Sequence, residues 1–262
     1  MEYKVLAKSI VEGMPLDGYV RYKQSYYRVI DNCVMVCIGL HYANHSVGIQ
    51  FSIFPFVSGR CYEFYDIKGG FCGFDATVAY SYRNGIDIDG FRGLKSLFIL
   101  PSEDEEYYSR LVGYAREVFS DTLNLLNEIH TVRDGIETMF KFFPYDEKYW
   151  AIRSNEAVHI CQMLMLCRDE ELLLKCTDEY LNRMFDAQAK NNSQKNKEII
   201  ISRFMELIDP YESAVRNKEY NALYAQFVDK YRSFCEMLNP TKLALSDEEI
   251  DGFIDSISWM KS

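Results

Sequence analysis

Two aspartates in the stretch NGIDIDG, Asp87 and Asp89, stand two apart in what reads as an extended segment, which places both carboxylates on one face. Carboxylates paired in this way hold a divalent cation or share acid–base work, so a metal-dependent hydrolase using Asp87 and Asp89 is one chemistry the chain offers. An EF-hand is excluded, because its calcium loop closes on an acidic residue at the twelfth position, and counting from Asp87 that position is Phe98. The structural explanation of the same residues is turn chemistry, in which Asp beside Gly is ordinary.

The other reactive side chains offer less. His41 and His45 are four apart and bracket the tip of a predicted hairpin, but a metal site needs three or four ligands and the loop between them holds no carboxylate. Gly69, Gly70 and Gly73 in KGGFCGF would give free backbone amides to an anion, yet no GK[ST] follows and GxGxxG is absent. Neither a GxSxG elbow nor an HExxH pair occurs. His159 sits among Ala157, Val158 and Ile160 and reads as a core histidine, while His130 has no partner in its vicinity. The eight cysteines, at 33, 37, 61, 72, 161, 167, 176 and 235, form no CxxC pair. They read as small buried hydrophobes, all free thiols, with no metal and no cofactor.

Hydrophobic periodicity supplies the scaffold. EYKVLAKSIVEGM reads as a short helix with Val5, Leu6, Ile10 and Val11 on one stripe, stopped by Gly13 and Pro15. GYVRYKQSYYRVI reads as a small hairpin around KQS. Two strands, 33–42 and 47–57, then flank the loop ANHS. The first is apolar on both faces and is expected to be central. The second alternates Val47, Ile49, Phe51 and Ile53 with Gly48, Gln50 and Ser52, the pattern of a half-buried antiparallel strand. Further strands are expected at 61–66, 77–83 and 95–100, for an antiparallel sheet of about five or six strands in all.

After Pro101 the pattern becomes helical. Ser102 and Glu105 form a capping box before a long helix whose stripe runs from Tyr108 to Ile129, and Thr131 caps a shorter one. A buried helix from Ser154 and an amphipathic one bearing Leu173, Cys176, Tyr180, Leu181 and Met184 form a helical hairpin. KNNSQKNK reads as a linker. The helix EIIISRFMELID is expected to end before Pro210, a long helix over about 217–238 to stop at Asn239 and Pro240, and a capped helix to begin at SDEE. The fold class is α+β: a sheet domain over residues 1–145, followed by a helical domain over 146–262.

Charge separates the two halves. Residues 1–100 hold 10 Lys+Arg against 9 Asp+Glu, net +1; subtracting from the 29 and 39 of the whole chain leaves 19 against 30, net −11, for residues 101–262. An acidic helical half is the opposite of the basic stripe that neutralises phosphates, so nucleic acid is disfavoured as a partner. With no apolar run near the ~18 residues of a membrane helix and no leader-like start, the chain is expected to be cytoplasmic and off the membrane.

The segment from Gly18 to Val57, with the helix before it, resembles an uncharacterised bacterial family, a domain of unknown function. The likeness rests on Gly18, Tyr19, Arg21, Tyr27 and Arg28 followed by the two strands, and on LLNEIHTVRDGIE, over about the first 140 residues. Tyr19 stands where a phenylalanine is typical. The resemblance implies a fold, an intracellular bacterial setting and an interaction or immunity-like role, and it brings no catalytic residues. The functional expectation is thus a non-enzymatic binding or protein-interaction protein with a protein partner, against the metal-dependent hydrolase as the alternative.

Overall fold

The computed structural model describes residues 3–22, 25–43, 46–58, 98–99, 105–142, 154–178 and 194–261. The described chain is α+β: a five-stranded sheet of order β1-β2-β3-β4-β5, and helices that form the whole of its carboxy-terminal part. The strands are β1 (Val20–Tyr22), β2 (Ser25–Ile30), β3 (Val34–Ala43), β4 (Ser46–Pro55) and β5, which is only Phe98–Ile99. The strand order follows the chain, and the links within β1–β4 are two or three residues long, which only antiparallel neighbours allow. β1 pairs β2 with Val20 opposite Tyr27, and β5 pairs the start of β4 with Val47 opposite Phe98. β3 is central, as its two apolar faces require, and every residue from Cys33 to Leu40 is buried. β3 reaches Ala43 and β4 begins at Ser46, so both strands extend into the stretch expected as a four-residue loop, while the strands expected at 61–66 and 77–83, the helix cap at Ser102 and the domain boundary at 145 lie outside the described residues.

The helices are α1 (Tyr3–Val11), α2 (Glu105–Asn127), α3 (Val132–Phe142), α4 (Ser154–Leu166), α5 (beginning at 170 and followed to 178), α6 (Gln194–Asn217), α7 (Asn221–Leu238) and α8 (Asp247–Ser256). Among the described residues no helix is long and apolar enough to cross a membrane.

Two compact units share these elements. The first takes residues 1–28, 35–53 and 62–129; the second takes 29–34, 54–61 and 130–262. In the first, α2 lies on the sheet through Ala115, Phe119, Leu123 and Leu126, all fully buried, with Phe119 edge-on to Tyr26 at 6.2 Å. Arg116 holds α1 to α2 by donating to the carbonyls of Ser9 (3.1 Å) and Glu12 (2.8 Å). The expected stripe on α1 is rotated: Ala7 and Ile10 are buried and Val5 is 51% exposed. Ser52 also departs from expectation. It stands on the polar face of β4 yet is 2% exposed, so this end of β4 is buried on both faces. Gly39 is required by packing. A Cβ there would collide with Ser25 Oγ and lie 3.1 Å from its Cβ.

The second unit has an aromatic core. Phe56, in the 3-10 turn Phe56–Ser58 after β4, stacks on Phe234 (4.2 Å) and Tyr231 (5.9 Å) of α7, and Tyr231 stacks on Phe253 of α8 at 3.9 Å. The β2–β3 turn enters this unit through Asp31 and Asn32, at φ 48° and 54°, the left-handed pair that a tight hairpin turn needs. Asp31 Oδ2 accepts from the amide of Val132, the first residue of α3, at 3.0 Å, and the Asn32 carbonyl accepts from the Tyr231 hydroxyl at 2.8 Å.

Two helix boundaries differ from the sequence reading. Pro210 lies inside α6, which continues to Asn217. Tyr211, Ala214 and Val215 continue the buried side begun by Ile208, and that burial outweighs the hydrogen bond lost at proline. Gln194–Lys197, read as linker, form the first turn of α6. They are good helix formers apart from Asn196. The stop at Asn239 and the cap at Ser246 are as expected: Ser246 and Glu249 form a capping box.

Candidate functional site

Asp87, Asp89, Gly69, Gly70, Gly73 and His45 lie outside the described residues, as do the side chains of His41, Ile49 and Phe51. Among the described residues no three His, Cys, Asp or Glu side chains converge on a metal-sized centre.

Six cysteines are described and all are free thiols, with Cys33, Cys37, Cys161, Cys176 and Cys235 buried and Cys167 half-buried. In the first unit, burial pushes the Cys37 thiol up to about 12, against the hydrogen-bonding hydroxyls of Tyr27, Ser52 and Ser25. In the second, burial pushes Cys235 up to about 11, and Cys33 and Cys161 are raised for the same reason. Cys167 is raised by burial too, although the neighbouring Arg133 guanidinium pulls it down. Nucleophilic cysteines need the opposite shift, so these thiols are protonated packing groups at neutral pH. His159 is buried in α4 with its ring 6.5 Å from that of Phe54, a core histidine as its neighbours suggested.

The residues of the family likeness work structurally in the first unit. Gly18, at φ 79°, turns the chain so that Tyr19 meets the Arg28 guanidinium 5.3 Å from its ring centre. Arg28 donates to the carbonyls of Leu126 and Ile129, the latter at 2.9 Å, and thereby satisfies the end of α2. Burial raises the Tyr19 phenol to about 12, against the lowering influence of Arg28. Compared with known proteins, the chain matches no family model, no curated protein and no solved structure.

Two charged features of the second unit stand out. The first is a junction at Arg168–Glu170. Helices α4 and α6 both end in Schellman turns, with Asp169 N–H donating to Leu164 O (3.0 Å) and Glu219 N–H to Ala214 O (3.1 Å). The left-handed residue of each turn is Arg168 (φ 56°) or Lys218 (φ 57°) rather than glycine, a choice that costs about 1 kcal/mol. Asp169 accepts from Arg133 Nη2 at 2.5 Å and from the Leu172 amide at 3.1 Å. Burial works against the Asp169 carboxylate, but these bonds outweigh it and hold its carboxyl below the ordinary range. Glu170 accepts from Lys218 and from the Tyr220 hydroxyl, and these two bonds lower its carboxyl. Sequence alone missed Arg133, Lys218 and Tyr220, which stand 36, 48 and 50 residues from their partners and leave no local signal.

The second feature is a carboxylate ladder on α8. Asp247, Asp251 and Asp255 follow at i, i+4 and i+8, all exposed, in a helix whose ten residues include Glu248 and Glu249 and no cation. Acids in the first turn complement the helix dipole, and Glu249 completes the capping box. Asp251 and Asp255 gain nothing of that kind. Like charges at i+4 repel, and an acid in the last turn opposes the dipole. Arg232 of α7, 3.8 Å from Asp251, offsets part of this.

Proposed function

We propose that the chain is a non-enzymatic, intracellular protein-interaction protein that engages a basic segment of a partner protein through α8. The observation that carries this reading is the ladder Asp247–Asp251–Asp255, an exposed row of carboxylates kept at some cost to helix stability. Such a row presents a periodic negative edge, and complementary charge sets encounter rate and register more than it sets affinity. Asp169 and Glu170, the acids at the head of α5, serve the reading less well, since each is engaged within the chain; Glu171 beside them is exposed. The reduced state of the described thiols accords with an intracellular setting.

The test is a variant carrying Asp247→Asn, Asp251→Asn and Asp255→Asn, compared with wild type by affinity purification from the native cell and by on-rates over a salt series with the recovered partner. Loss of the partner, or an on-rate that falls with salt in wild type and not in the variant, supports the reading. An unchanged set of partners together with salt-independent association in both proteins refutes it.

A further inference from the structure

Trp259 lies in the 3-10 turn Ser258–Lys261, which follows α8. It is gripped from two directions. The Arg168 guanidinium lies over its ring at 5.2 Å, and the Tyr220 ring meets it edge-on, also at 5.2 Å. Arg168 Nη2 also donates to the carbonyl of Ser256, the last residue of α8, at 3.4 Å. Tyr220 gives its hydroxyl to Glu170, whose second oxygen takes Lys218. The contacts therefore close a circuit from Arg168 through Trp259 and Tyr220 to Glu170, two residues beyond its start.

We propose that the turn Ser258–Lys261 is a strap with Trp259 as its tongue, and that the Arg168 and Lys218 turns form the catch that keeps it closed. Two independent features point this way. The side chains that complete the circuit come from the two helix ends that adopt left-handed backbone without glycine, and strained positions of this kind persist where their side chains are used. The catch is also peripheral: Arg168 and Lys218 are exposed, so water and salt compete for every polar contact in it. Met260 is fully buried beside Trp259, which returns an opened strap to its seat. Lys261 Nζ lies over the Tyr224 ring at 5.0 Å, a further rim contact, and a short terminal segment held by exposed contacts opens locally at far less than the global unfolding free energy. Opening exposes the indole and releases the Arg168 guanidinium and the Tyr220 ring from it.

Glycine substitution separates the side chain from the backbone at both positions, because it removes the catch while relieving the left-handed strain. In a Trp150→Phe background Trp259 is the remaining tryptophan of the chain's two. Acrylamide quenching then reports the strap, and urea unfolding followed by far-UV circular dichroism reports the fold. Arg168→Gly and Lys218→Gly are each expected to raise the quenching constant about twofold, with the unfolding midpoint unchanged or higher. Salt at about 1 M, where the screening length is ~3 Å, should do the same in the parent and add little in the variants. Quenching that is unchanged in both glycine variants overturns the proposal, since burial of Met260 and the Lys261–Tyr224 contact would then hold the turn. Quenching that rises only alongside a lower midpoint overturns it equally, because the turn would not open apart from the fold.

Discussion

Replacing Asp31 tests how the β2–β3 turn is fixed within the second unit. Three contributions meet in that residue. Its Oδ2 accepts from Val132 N–H at 3.0 Å, acting as a helix cap supplied from 101 residues away. Loss of a cap acceptor costs about 1 kcal/mol. Its charge faces the positive end of α3, worth ~0.3–1 kcal/mol. Its φ of 48° is tolerated by Asp and Asn but costs about 1 kcal/mol or more for Ala. The variants separate these contributions. Asp31→Asn keeps an acceptor oxygen and the backbone tolerance, and should lose about 0.5 kcal/mol. Asp31→Gly loses acceptor and charge but keeps the turn, for a loss of about 1.3–2 kcal/mol. Asp31→Ala loses all three, for about 2–3 kcal/mol. Urea unfolding with a constant m-value measures the series. Equal losses for Asn and Ala, within about 0.5 kcal/mol, would refute both the cap and the turn strain at once.

Tyr231→Phe removes the hydroxyl that donates to the Asn32 carbonyl without disturbing the ring stack, and unfolding should become easier by about 1–2 kcal/mol; no change would mean that the carbonyl finds another donor. Gly39→Ala should destabilise strongly in thermal melts, with partial rescue by Ser25→Gly; a neutral Gly39→Ala would contradict the close approach of β2 and β3. Alkali should weaken the fold. Cys37 and Cys235 are raised to about 12 and about 11 and the Tyr19 phenol to about 12, so the unfolded chain loses these protons first and stability falls as pH rises above 9 towards 12. Each group contributes up to about 1.4 kcal/mol per pH unit in that window, and a Cys37→Ala variant should show a shallower fall; a stability profile flat from pH 9 to 11 would sink this.

The parts of the fold legible in the sequence are those whose cause is local. The doubly apolar β3 and the caps at Thr131 and Ser246 each follow from neighbours within a few residues, and each is present: Asp134 N–H donates to Thr131 Oγ1 at 3.2 Å, while Asp134 Oδ2 accepts from the His130 and Thr131 amides. What was illegible depends on distant partners. Pro210 is tolerated because Tyr211 and Val215 are buried against other elements, a fact absent from the local pattern. Ser52 is buried although its strand face reads polar, and the cap of α3 comes from a turn a hundred residues earlier. The charge asymmetry was legible as a total. Its division into acids spent on Arg133 and Lys218 and acids left exposed on α8 was not.

The interleaving of segments in the second unit bears on how the chain reaches its structure. Phe56 and Asn32 are made early in synthesis, while Tyr231 and Phe234, which stack on Phe56 or bond to Asn32, come late in the chain, the Tyr231–Asn32 separation being 199. Contacts of such sequence separation raise the contact order and slow folding, because loop closure must come before the packing that rewards it. A nascent chain therefore carries an uncovered aromatic surface at Phe54 and Phe56 until α7 emerges, a state suited to chaperone capture. A fragment beginning at residue 130 would lack these strand ends and with them the floor of its own core.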